Sequence, residues 1–178
     1  FNAVVSNSDL YNTYLPAFQK LVVDAKVGGI MCAYNRTDGL PCCGSKFLLQ
    51  DILRNEWGFK GYLVTDCWAL DDIFRYHHFV KTPEEAAALA IKNGVNVECG
   101  NTLKTLQSAL KQGLLTEADI NASLKINLEI LMKLGWFDPL NALKTHLSQL
   151  FGYDLSDPAL VVNVMFPKSQ PDVLVNGH

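Results

Sequence analysis

Three short apolar runs, each bracketed by glycine and each ending in a polar residue, recur along the chain. They end at Tyr34, Asp66 and Glu98, positions spaced 32 residues apart. Each run is too short for a helix and rich in β-branched or apolar side chains, and helix-like periodicity separates it from the next, so the repeat is that of a strand-helix unit. The pattern predicts strands at Ile30 to Ala33, Tyr62 to Thr65 and Val95 to Val97. Strands joined by such crossovers run parallel and place all their C-terminal ends on one face. In an α/β barrel that face carries the chemistry, which singles out Asp66, directly after the second run, among the acids of the chain.

The helical segments carry their own punctuation. Ser8 or Asp9 can cap a first helix whose apolar face includes Leu10, Tyr14, Phe18, Leu21 and Val22, with Pro16 early in it and Gly28-Gly29 after it. Asn35-Arg36-Thr37-Asp38-Gly39-Leu40-Pro41 reads as a loop dense in turn formers. Ser45 precedes an amphipathic helix containing Phe47, Leu48, Leu49, Ile52, Leu53 and Trp57, stopped by Gly58. Thr82-Pro83-Glu84-Glu85 starts an alanine-rich helix that ends at Asn93-Gly94. Two more helices are predicted from about Thr102 to Gln112 and from about Glu117 to Leu134, the second with Thr116 as cap and Asp119 completing a capping-box-like pair. Trp57, Trp136 and Phe137 fall on helical faces or helix ends and read as core rather than as a ligand platform. Residues 140–178 give no confident pattern.

Composition narrows the function. With 49% hydrophobic and 19% charged residues in 178, the chain can bury a core and is not a disordered tail. A net charge of −3 and the lack of any Lys/Arg run argue against a nucleic-acid partner, since phosphate binding needs clustered positive charge. No apolar stretch approaches the ~20 residues of a membrane span. A complete (β/α)8 barrel takes roughly 250 residues, whereas three strand-helix units are evident here. With Phe1 at the start and no basic-then-apolar leader, the sequence reads as an excerpt, the last units of a partial (β/α)8 TIM-type barrel plus following helices.

Of the candidate chemistries, a metal site at His77 and His78 with Asp71 and Asp72 is weak, because adjacent histidines diverge and no further ligand spacing matches. No metal or other cofactor is expected. A serine hydrolase lacks its Gly-x-Ser-x-Gly elbow. Cys67 could be a nucleophile, but no histidine is placed near it by the sequence, and a structural or disulfide role is the simpler reading. Asp66 could be a catalytic carboxylate or a turn-capping aspartate. Glu98, one strand along, is the obvious second acid for a glycosidase, or equally a partner for a sugar hydroxyl or a neighbouring Lys or Arg.

Taken in order, the strings GGIMCAYNRTDGLPCCGS, LLQDILRNEWGFKGYLVTDCWAL and GVNVECG resemble the barrel domain of glycoside hydrolase family 3. GLLTEADINASLKINLEILMKLGWFDP resembles the helices that follow it. The resemblance spans residues 1–139 and implies a retaining exo-β-glycosidase acting on terminal β-D-xylosyl or β-D-glucosyl residues of an oligosaccharide or glycoside. It matches Asp66 to the family's nucleophile, and Met31 and Tyr34 to positions lining the sugar subsite; Cys67 and Glu98 also fall in the substrate-binding set. Cys67 followed later by Glu98-Cys99-Gly100 looks like the β-xylosidase and arabinofuranosidase branch, in which cysteines recur at positions matching Cys32, Cys43, Cys67 and Cys99. That recurrence implies Cys32–Cys43 and Cys67–Cys99 pairs, with Cys42 left free.

The resemblance also implies absent partners: an N-terminal barrel half whose residues grip the sugar, and a following α/β sandwich domain that usually supplies the general acid/base. The isolated chain is therefore expected to be inactive. The family is often secreted or periplasmic. Against the enzyme stands a different class, a catalytically inactive carbohydrate-binding remnant, and within the family a β-glucosidase or N-acetylhexosaminidase.

Overall fold

The computed structural model describes residues 1–137 together with Thr145, Ser148 and Gln149. The remainder of the 140–178 tail lies outside the described residues. The chain divides into two compact units, Phe1–Ile130 and Leu131–His178. In the second unit, Gly135 N–H and Trp136 N–H close back on Met132 O and Leu131 O, and Trp136 and Phe137 are exposed, contrary to the core role expected for them.

Strand β1 (Asn2–Ala3) leads into helix α1, residues 7–23, built from Asn7–Asp9, a wide turn at Leu10–Tyr14 and the regular turns Leu15–Val23. Its cap is Ser6 rather than Ser8 or Asp9: Ser6 Oγ accepts Asp9 N–H at 3.1 Å while its hydroxyl donates to Asp9 Oδ2 at 2.8 Å. The wide turn has a cause in the sequence. Pro16 cannot donate to residue 12 and its ring crowds that carbonyl, and the turn before it loosens so that Leu15 N–H reaches back to Leu10 O. Only Leu10 and Val22 of the predicted apolar face are buried; Tyr14, Phe18 and Leu21 are about half exposed.

Strand β2 (Gly29–Cys32) pairs in parallel with β5 (Tyr62–Thr65), in the register Gly29 to Tyr62 through Cys32 to Thr65. A close approach fixes the start of the pair. Tyr62 N–H donates to Gly28 O at 3.1 Å, and a Cβ on Gly61 would overlap that same carbonyl oxygen. The third predicted strand is present only as a parallel bridge from Val97 to Val64. Its shortness follows from Asn96, whose side-chain Oδ1 takes the Leu63 N–H at 2.9 Å in place of a main-chain acceptor. The parallel order is nonetheless the predicted one.

Between β2 and β5 the turn-rich stretch forms a hairpin, β3 (Arg36–Thr37) and β4 (Leu40–Pro41), and β1 adds to it in parallel. The central residues Asp38 and Gly39 sit at φ of 50° and 85°, the pair of positive values that an Asp-Gly hairpin turn demands. Helix α2 (Phe47–Glu56) is wound wide, with Trp57 N–H donating to Ile52 O, and ends before Gly58. After β5 come α3 (Ala69–Arg75), α4 (Pro83–Lys92), a 3₁₀ turn at Thr102–Thr105, α5 (Leu106–Lys111) and α6 (Glu117–Lys133). The predicted Thr116–Asp119 cap is present, with bonds of 2.7–3.2 Å, and at the start of α4 Thr82 and Glu85 form a reciprocal box.

The core lies between the parallel strands and the helices packed on them. Leu63, Leu70, Ile73, Ala86, Ala90 and Val95 are fully enclosed there. At the N-terminal ends of the strands, Arg54 ties the layers together. Its guanidinium donates to Phe59 O, Gly61 O, Gly94 O and Asn96 Oδ1 at 2.7–3.4 Å, and burial pulls its pKa below the usual arginine value. On the other side of β2 an apolar cavity of about 530 Å³ opens, lined among others by Phe1, Phe18, Met31, Leu48 and Trp57.

Candidate active site

The C-terminal ends of the parallel strands converge, and Asp66 stands in the middle strand's exit. Its N–H donates to Cys32 O at 3.0 Å, continuing the β2–β5 ladder one residue past the strand. Its carboxylate is half-buried, and Oδ1 accepts the Cys67 N–H at 2.7 Å. Its carbonyl accepts Ala69 N–H at 3.1 Å, so α3 starts directly on this residue.

The chain then makes a sharp exit. Trp68 occupies the left-handed region at φ 67°, an unfavourable place for a bulky residue, and its N–H donates to Cys99 O at 2.6 Å. Cys67 is disulfide-bonded to Cys99 with Cα atoms 4.3 Å apart, and Cys99 N–H donates to the buried Thr65 hydroxyl at 3.1 Å. A second disulfide, Cys32–Cys43, closes the neighbouring strand end, with a Cα separation of 5.1 Å. Cys42 is the free cysteine; burial raises its pKa, partly offset by the Thr37 hydroxyl at 3.4 Å. Both implied pairings are present.

Tyr34, two residues past β2, lies beside Asp66. Its phenol is pushed above the ordinary tyrosine value, first by a hydrogen bond to the Asp66 carboxylate, then by slight burial and the charges of Asp66 and Asp72. Met31 is exposed in β2, on the strand face opposite Ile30 and Cys32. Asp66, Tyr34 and Cys67 are thus brought together, with Met31 in the adjoining strand.

Glu98 is engaged differently. Its Oε1 accepts Thr102 N–H at 2.9 Å and Oε2 accepts Leu103 N–H at 2.6 Å, so the carboxylate caps the 3₁₀ turn. Thr102 in turn donates its hydroxyl to Asp71 Oδ1, and Arg75 Nε contacts Asp71 Oδ2 at 3.0 Å. This chain of polar contacts locks the loop bearing Cys99 to α3.

The two histidines separate. His77 Nε2 lies 2.8 Å from Tyr34 O, whereas His78 Nδ1 lies 3.2 Å from Phe74 O. Burial raises the pKa of Asp72; His77 opposes that shift and Asp71 adds to it. Among the described residues, no cluster of three or more His, Cys, Asp or Glu is placed to hold a metal ion. Neither the left-handed turn at Trp68 nor the link between His77 and Tyr34 across 43 residues has a local signal in the sequence.

Parallel strands of an α/β fold thus present the Asp66 carboxylate at a strand end with a backbone N–H on one oxygen, and in barrel-type enzyme domains it is this face of the strands that carries the chemistry. Residues 3–128 match the model of the glycosyl hydrolase family 3 N-terminal domain, and the chain belongs to that family. Among similar proteins, β-xylosidase/α-L-arabinofuranosidase 2 of Medicago sativa subsp. varia is 45% identical over 139 residues, covering 78% of this chain. β-D-xylosidase 1 of Arabidopsis thaliana is 44% identical over the same length. The chain spans 18% of the length of each of these two relatives. A solved family 3 exo-β-xylosidase, bound to a xylobiose aziridine probe, superposes with a TM-score of 0.74 at 30% identity over 77% of this chain and 18% of that one. A β-glucosidase from Listeria innocua gives 0.72 at 30% identity, over 80% of this chain and 20% of its own.

Proposed function

We propose that this chain is the nucleophile-bearing portion of the barrel of a retaining exo-β-glycosidase that removes terminal β-D-xylosyl or β-D-glucosyl residues. The observation that carries the proposal is the Asp66 carboxylate, presented at a strand end with the Cys67 N–H on one oxygen and the Tyr34 phenol beside it. In the reaction, an Asp66 oxygen attacks the anomeric carbon while the glycosidic bond breaks and its oxygen takes a proton from a carboxylic acid. The product is a glycosyl ester of Asp66. Water then attacks the same carbon, the conjugate carboxylate accepts its proton, and Asp66 is released. Tyr34 and the Cys67 N–H hold the attacking carboxylate in place.

Met31 lines the sugar subsite. Glu98, with both oxygens accepting backbone N–H groups, serves the site by fixing the loop through Cys99. The proton-donating acid and the remaining sugar contacts belong to the rest of the polypeptide, and the β2 edge with its apolar cavity is where the earlier barrel strands pack. Two points support that placement: the half-exposed apolar face of α1 beside the cavity, and the Trp57 indole N–H, buried without an acceptor among the described residues. The disulfides fit an oxidising compartment, in line with secretion.

The test is trapping. The polypeptide carrying this chain, treated with a 2-fluoro-β-xylosyl reagent, should gain one sugar on Asp66 by peptide mapping, and Asp66→Asn should abolish both label and turnover, by about a thousandfold or more. A label on another residue, or turnover that survives Asp66→Asn, sinks the proposal. A 2-fluoro-β-glucosyl reagent run in parallel ranks the two sugars. Sugar binding with neither label nor turnover would favour the carbohydrate-binding remnant.

A further inference from the structure

Tyr34 sits in irregular backbone between β2 and the hairpin, yet its phenol must stay on Asp66. Its carbonyl can only accept a hydrogen bond, so the His77 nitrogen 2.8 Å away carries the proton, and the neutral ring is the Nε2–H tautomer. His77 is itself anchored to α3: its N–H donates to Asp72 O at 2.7 Å, and Phe79 N–H closes onto Ile73 O at 2.9 Å. Helix α3 is rigidly seated, with Leu70 and Ile73 fully buried, and its first turn begins on the Asp66 carbonyl. Asp66 and His77 therefore flank one rigid helix, and Tyr34 bridges them, its carbonyl 2.8 Å from His77 Nε2 and its phenol near enough to the Asp66 carboxylate to be held above the ordinary tyrosine value.

Building on the proposed glycosidase reading, we infer that His77 is a positioning residue for the displacement step, clamping the Tyr34 main chain so that its phenol stays on the Asp66 nucleophile. Asp72 joins the clamp through its main chain, its carbonyl accepting the His77 N–H at 2.7 Å. His77 touches no substrate in this role. Its loss should therefore lower the rate of forming the glycosyl ester and leave sugar affinity nearly unchanged.

The experiment uses the full polypeptide carrying this chain, with 2-fluoro-β-xyloside labelling of Asp66 as the rate and a reversible xylose-like inhibitor as the affinity. His77→Ala should slow labelling about ten- to a hundredfold, the scale of a misplaced catalytic group, with inhibitor Kd within about twofold. His77→Gln, whose amide can donate to the same carbonyl, should recover most of the rate at the same Tm. Adding Tyr34→Phe to His77→Ala should cost little more than either change alone, because both act on one contact.

Wild-type labelling rates in His77→Ala, fully additive losses, or a His77→Gln protein that folds but is as slow as His77→Ala would overturn the clamp. If the wild-type protein takes no label at Asp66, the glycosidase reading is what has failed. The clamp is then judged by ultraviolet titration of Tyr34, which His77→Ala should return toward an ordinary tyrosine value and which an unmoved titration would refute.

Discussion

At the scale of single residues, the contact between Tyr34 and Asp66 is open to direct measurement. A phenol bonded to a carboxylate keeps its proton to higher pH, because ionising it would set two negative charges side by side. The sign follows: with the folded value raised, the contribution of this contact is complete below the unfolded tyrosine pKa and is lost as pH rises through the folded one. Tyrosinate absorbance, compared between the protein and its Tyr34→Phe variant to isolate one of six tyrosines, should show Tyr34 titrating above the ordinary range. Asp66→Asn should move it down, and an unchanged titration would mean that the two side chains do not meet. Asp66 as the residue of interest was legible from its place after an apolar run. The clamp was not, since His77 and Tyr34 are joined by a side-chain-to-carbonyl bond that no periodicity encodes.

At the scale of elements, the parallel strands are tied together at their N-terminal ends by Arg54, with four neutral oxygen acceptors drawn from Phe59 and Gly61 before β5 and from Gly94 and Asn96 on either side of Val95. Arg54→Ala would leave several of these carbonyls without a donor, and a loss of about 3 kcal/mol or more in urea unfolding is the expected outcome. Arg54→Lys should retain only part of the stability, because an ammonium cannot span the fork of acceptors; a loss under about 1 kcal/mol for Arg54→Ala would contradict this assignment. Elements with purely local signals were readable from sequence: β5, the start of α4 at Thr82-Pro83 and the Thr116–Asp119 cap of α6 stand where the spacing put them. Others depended on distant partners. The stretch read as a loop holds two short strands that pair with each other and with the distant β1, and Val95 to Val97 shrank to one bridge because the Asn96 side chain displaced a main-chain acceptor. Ser6 won the cap of α1 over Ser8 and Asp9 because its hydroxyl and Asp9 satisfy each other.

At the scale of the whole molecule, the strand ends around Asp66 are held covalently while the opposite ends rely on Arg54. Replacing Cys67 and Cys99 together by serine should destabilise the chain by about 2–4 kcal/mol in denaturant titration, and should slow Asp66 labelling, because Cys67 N–H and Trp68 lose the tether that aims them. Unchanged stability would show that the Thr65 and Trp68 hydrogen bonds to Cys99 suffice alone. The two bridges have a further consequence. They span 11 and 32 residues and lie wholly within residues 32–99, so a chain leaving the ribosome into an oxidising lumen can seal both soon after Cys99 emerges. From that moment the strand ends around Asp66 are a fixed template, and the segments that fold later assemble against a carboxylate already in position.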